Sequence, residues 1–193
     1  MNASLLARAL TALEPFACDD GTRFHLCSFQ YVDTKETLTL RATDGHKAIE
    51  IVLVKELPKG VKGAEQGTLN TGIVSREFFK RLVTLIKPVN KSAPDFGIIS
   101  FADLLEHHRI PLVEAIYPPF DHLMPKRRAH GEKATLSNVG IDPEYLGDAC
   151  KALKTLKIGT MEIQQGGDLD PILLMGTLSG EADVRILIMP MRI

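Results

Sequence analysis

The chain has 193 residues, 45% of them apolar, and a formal net charge of -1. That composition can bury a sizeable core in one or two domains, and it excludes a protein that coats nucleic acid through bulk positive charge, leaving only binding through one locally basic face. The three cysteines, Cys18, Cys27 and Cys150, are widely spaced without any Cys-x-x-Cys, so they read as buried thiols rather than a disulfide framework or zinc site. The start has no basic segment followed by a long apolar run, and no stretch reaches the length of a membrane span, so a soluble cytoplasmic protein is expected.

Leu6, Leu10 and Leu13 recur at helical spacing after a possible cap at Asn2, predicting a helix over residues 3–14. Residues 23–32, 36–42 and 49–53 read as strands, with Asp44-Gly45 as the turn between the last two. A second helix starts at Ser75, places Phe78, Leu82 and Leu85 on one side, and is expected to stop before Pro88 in a loop through Asn90, Ser92, Pro94 and Asp95. Strands near 96–101 and 109–113 follow, then the turn-rich Tyr117-Pro118-Pro119-Phe120. The polar run Lys126–Lys133 is the best candidate boundary, dividing the chain into 1–126 and 127–193. Beyond it come a strand near 134–141 and a helix capped by Asp142, with Pro143 at its first position and Leu146, Cys150 and Leu153 on one face. Strands near 161–164, 172–178 and 184–189 finish the chain, so helix followed by strands recurs three times.

Arg76, Lys80 and Lys87 stand 4 and 7 apart, within roughly 40° of one another and away from the apolar stripe of their helix. Lys151, Lys154 and Arg8 are likewise off the apolar faces of theirs. A solvated helix face has the same pattern as one that meets phosphates. Asp44, His46, His107, His108 and His122 suggest an acid-base or metal cluster, but no metal-ligand spacing fits, and adjacent histidines on one strand would point to opposite faces. There is no glycine-rich phosphate loop, nucleophile elbow or His-Glu-x-x-His, so a non-enzymatic protein without metal or cofactor is expected.

Four stretches, in order, carry a resemblance: Arg23-Phe24-His25-Leu26, Thr43-Asp44-Gly45-His46-Lys47-Ala48, Tyr117 through Pro125, and Met189-Pro190-Met191-Arg192. Together they resemble the bacterial sliding clamp, the β subunit of DNA polymerase III. The part up to about Lys126 is similar to that family's middle domain, and the remainder to the second half of its last domain. The resemblance implies an α+β DNA-clamp fold of βαβββ units, with helices on the inner face of a ring and antiparallel sheets outside. It implies a cleft for a partner peptide at Leu26, Thr43, Gly45, His46, Lys47, Pro118, His122, Leu123, Met189, Pro190, Met191 and Arg192. It also implies a DNA-facing set of Arg8, Arg76, Lys80, Lys87, Lys151 and Lys154. Here Lys47 stands where the family usually has Arg, Ala48 where it often has Leu, and Asp121-His122 where it has a basic pair. The implied partners are double-stranded DNA, bound without sequence preference, polymerase and other clamp-binding proteins, and further copies of the chain. Family rings hold six domains, or twelve units, and three units per chain would give four chains, with a dimer as the rival. The other functional class is a clamp mimic that keeps the cleft without encircling DNA.

Overall fold

The computed structural model describes residues 3–18, 23, 26–55, 70–92, 100–125, 139–167 and 170–191, with 87–92 described in their backbone only. Period-two alternation builds its sheet. The strands are β1 Ser28–Asp33, β2 Thr37–Thr43, β3 Lys47–Val54, β4 Asn70–Ser75, β5 Glu162–Gln164, β6 Ile172–Leu178 and β7 Ala182–Ile188. Among the described residues they form one antiparallel sheet in the order β4-β1-β2-β3-β7-β6-β5. The β3–β7 ladder, from Lys47↔Ile188 to Leu53↔Ala182, carries this sheet from the first part of the chain into the last.

Among the described residues, five α-helices accompany the strands: α1 Ala3–Leu13, α2 Phe79–Ser92, α3 Phe101–His107, α4 Phe120–Leu123 and α5 Pro143–Thr155. The α1 helix packs against α2, α5, β2 and β3, and α5 packs against β7. Between helices and sheet lies the main core, which includes Phe16, Phe29, Leu38, Leu40, Ile49, Ile51, Phe79 and Phe101. Each such side chain contributes roughly 1.5–3 kcal/mol through burial. Aromatic edges organise it: Phe29 lies 4.7 Å from Phe79 and Tyr31 5.2 Å from Phe101. Gly176 lets α5 and its following turn close onto β6, because a Cβ there would stand 2.6 Å from Ile158 Cγ2.

The same alternation feeds a second, smaller cluster on the other face of the sheet. Along β3, β6 and β7, Ile49, Leu174 and Ile186 enter the main core, while Ala48, Leu173, Met175 and Leu187 enter the second. Tyr117, Phe120 and Met124 cover it.

Several expectations are corrected. Residues 109–113 are not a strand but a turn residue, Arg109, followed by irregular backbone with one bridge, Val74↔Leu112, and β4 had no sequence signal of its own. Where strand was expected to end, α3 begins at Phe101, capped by Ser100 and tied to β1 because Asp33 Oδ2 accepts from Phe101 N at 2.8 Å. It ends in the left-handed Arg109 (φ 50°), where Ile110 N donates back to Leu105 O at 2.9 Å. His107 and His108 therefore sit at a helix end, not on a strand. The α2 helix runs through Pro88 to Ser92, although proline removes one of its hydrogen bonds. Its buried residues are Phe79, Leu82 and Ile86, with Phe78 and Leu85 only half-buried. On α5, Ala149, Ala152 and Leu153 are buried and Cys150 is exposed, because the stripe is rotated by one residue. Cys18 and Cys27 are half-buried. Asn2, Pro94, Asp95, residues 96–99 and the expected boundary at Lys126–Lys133 lie outside the described residues, as do residues 134–138. No helix among the described residues is long and apolar enough to cross a membrane.

Candidate protein-binding cleft

Between β2 and β3 the chain must reverse in three residues, and side chains supply the bonds. Asp44 Oδ1 accepts from His46 N at 2.8 Å and from Lys47 N at 2.9 Å. Thr43 Oγ1 donates to Lys47 O at 2.9 Å and accepts from Gly45 N at 3.1 Å. Gly45 has φ of +96°, which favours glycine, and a side chain there would meet Leu26 Cδ1 at 3.7 Å and Arg23 Nη1 at 3.5 Å. The turn is thus packed on Leu26.

Past β7, the tail is bonded to this turn. Met189 N donates to His46 O and Met191 N to Gly140 O, each at 2.9 Å. Met189, Met191 and Leu123 are 40%, 53% and 41% exposed, an unusual surface for long apolar side chains. By alternation Met189 follows Leu187 on the face of the second cluster, the face that Phe120 and Met124, on either side of Leu123, also cover. Among the other expected cleft residues, Leu26 and Thr43 are buried under the turn, Gly45, His46 and His122 are exposed, and Pro118 and Pro190 are half-buried. Arg192 lies outside the described residues. Lys47 is turned the other way, buried on the helix side.

Residues that the resemblance did not assign to the cleft, two of them within the Tyr117–Pro125 stretch, form the floor. Tyr117 Oη lies 3.1 Å from Arg41 O and 3.2 Å from Ser28 O, and its ring stacks on Phe120 at 5.9 Å. Across the sheet behind it runs a charged row in which buried Glu50 bonds both Arg41, at 2.8 Å, and Arg185. Arg41 also reaches Asp121 at 3.2 Å and lies 5.5 Å from the Phe120 ring centre. Its contact to α4 runs through the 84% exposed Asp121 and is weak and screened, so α4 is held on the sheet mainly by buried Phe120. A cavity of about 260 Å³ opens beside the cluster, lined by Pro125, Gln164, Gln165, Pro171 and Leu173 among others. The pattern that could have revealed this floor is apolar residues on both faces of β6 and β7.

Burial pushes the Tyr117 phenol well above its usual value, so in the folded protein it stays a neutral donor. A raised pKa adds stability that is fully present below the unfolded value of about 10 and is lost as pH rises beyond it. Thermal unfolding at pH 8 and pH 10.5 is therefore expected to show a larger drop for the native chain than for Tyr117→Phe, which starts about 1 kcal/mol less stable from the lost hydrogen bond. Equal drops would mean that this hydroxyl ionises freely.

On the helices, Lys80, Lys151 and Lys154 are exposed and Arg76 is half-buried. The Lys80 direction is roughly 125° from the buried stripe of α2. Arg8 is engaged inside the layer, donating to Leu156 O at 3.3 Å where α5 ends. Of Lys87 only the backbone is described. Among the described residues no three His, Cys, Asp or Glu side chains gather as a metal site.

No family model matches the sequence. No curated protein matches it either. Solved structures do. A DNA polymerase sliding clamp from Pseudomonas aeruginosa, solved with a ligand, covers all of this chain with a TM-score of 0.67 at 16% identity, over 65% of that clamp's length. The β sliding clamp of C. crescentus gives 0.66 at 16% identity over 64% of its length, and the DNA polymerase III β subunit of Thermotoga maritima 0.67 at 12% over 65%. The chain thus spans slightly less than two thirds of the clamps it matches, and over that length its fold is the fold of the DNA polymerase III β sliding clamp.

Proposed function

We propose that the chain is a sliding-clamp-like processivity factor, a non-enzymatic protein that closes as an oligomeric ring around duplex DNA. In this reading it tethers a polymerase or repair protein through the cleft between the Thr43–Lys47 turn and the Met189–Met191 tail, and it works in the cytoplasm. The observation that carries the reading is the junction of those two segments by the Met189 N–H to His46 O bond, beside exposed Leu123, on a clamp fold. Met and Leu walls adapt to varied apolar anchors, and a cleft of this kind suits a short peptide with large apolar side chains. The cations Arg76, Lys80, Lys151 and Lys154, with Lys87, are assigned to phosphates, whose contacts carry no sequence information and weaken with salt, as sliding requires, while Arg8, bonded to Leu156 O within the layer, is left out of that set.

Assembly follows from edges. The β5 strand is three residues long, ends the sheet, and carries Ile163 at 58% exposure, so another copy covering it removes an aggregation liability. Three units per chain predict a ring of four. The rival reading is a clamp mimic that competes for clamp-binding proteins without encircling DNA. Native mass spectrometry at micromolar concentration is expected to show a closed four-chain species. A dimer would overturn the four-chain count, and a monomer with and without DNA would overturn the ring and leave the mimic.

A further inference from the structure

The Thr43–Lys47 turn is held from behind as well as from the tail. Lys47 Nζ stands 2.5 Å from Asp148 Oδ2 on α5 and 3.8 Å from Asp44 Oδ2. It lies over the rings of Tyr145 and Phe16, at 5.0 Å and 5.7 Å. The next side chain, His46, stacks on Tyr145 at 6.1 Å. Two consecutive residues of the turn are therefore fixed to α5, and the same two hold the tail: Lys47 pairs with Ile188 and the His46 carbonyl receives the Met189 N–H. The other oxygen of Asp148 meets Lys151 at 3.5 Å, but Lys151 is 75% exposed, so that contact is weak and screened.

We propose that Asp148 is the positioning residue of the cleft. By neutralising buried Lys47 it sets where the turn, and through the turn the Met189–Met191 tail, stand, without touching the ligand. The proposal rests on the cleft reading above and departs from the expectation that Lys47 is a cleft wall. A cation only 6% exposed has no surface to offer a peptide, and its carboxylate partner is 12% exposed. Removing the Asp148 carboxylate leaves the buried cation only the longer 3.8 Å contact to Asp44 Oδ2 and the two rings, so it is drawn towards Asp44 and water by displacing the turn, whereas removing both charges leaves no buried cation to satisfy.

Double substitution separates positioning from contact. The probe is a peptide with a Gln and a Leu/Phe pair, titrated at a temperature where every variant is folded. Asp148→Asn is expected to weaken binding by about tenfold or more, while Lys47→Met/Asp148→Asn recovers to within about threefold of the native chain. A loss with Lys47→Met that Asp148→Asn does not share, or losses that simply add, would overturn the proposal and make Lys47 a contact residue. Amide hydrogen exchange provides a readout that needs no peptide. Asp148→Asn should speed exchange at Met189 and His46 but not at the distant β1–β4 ladder, and the double variant should restore it. Uniform acceleration would reduce Asp148 to a general stabiliser and overturn the proposal. Absence of peptide binding by the native chain, with local exchange behaving as expected, would sink the cleft reading alone.

Discussion

A peptide carrying a Gln and a Leu/Phe pair is expected to bind with a micromolar Kd, and Leu123→Glu or Met191→Glu is expected to abolish that binding. Micromolar affinity corresponds to about -8 kcal/mol. Seating the peptide would bury a carboxylate with no partner, which costs several kcal/mol, so a loss of a hundredfold or more follows from about 3 kcal/mol. The fold itself should tolerate both changes, because Leu123 and Met191 are 41% and 53% exposed and neither belongs to the cores. A charge there meets water in the free protein, so unfolding does not confound the result. Isothermal titration with matched thermal melts reads both quantities. Unchanged affinity in both variants would place the binding surface elsewhere.

Local signals were legible, and long-range ones were not. The start of α5 was readable because its cap is local: Asp142 Oδ1 accepts from Glu144 N at 2.8 Å and Pro143 follows it. Strand β6 was readable from its apolar run Ile172–Met175, and β7 from apolar residues alternating with Asp183 and Arg185 before Ile186–Ile188. By contrast, Asn70–Ser75 becomes a strand only through pairing with β1, and its own six residues alternate too weakly to signal it. The α3 helix carries a local signal, Ser100 three residues before Asp103 with Phe101 and Leu105 at helical spacing, but the apolar run before it points equally to a strand. The family-like motifs located the turn and tail, but not the direction of each side chain. Period two alone puts Lys47 on the face of Ile49 and Ile51, the helix face, and Asp148 lies about a hundred residues away to receive it. The Tyr117, Phe120 and Leu173 floor was hidden because it is assembled from two segments far apart in the sequence.

Retention on circular DNA tests the encircling ring most directly. Protein assembled on a covalently closed circle should stay bound through gel filtration in high salt and be lost once the circle is linearised, since a ring can leave only over an end. Neutralising Arg76 and Lys80 together should lower loading and reduce the salt slope by about 1 for each phosphate contact removed, while leaving peptide affinity unchanged. Such contacts are individually weak and screened, so topology rather than charge must account for retention at high salt. The account predicts a long-lived complex on the closed circle, rapid loss after a single double-strand cut, and a shallower salt dependence in the double variant. Equal, fast dissociation from circular and linear DNA would contradict encirclement and leave the clamp fold serving as a competitor for clamp-binding proteins.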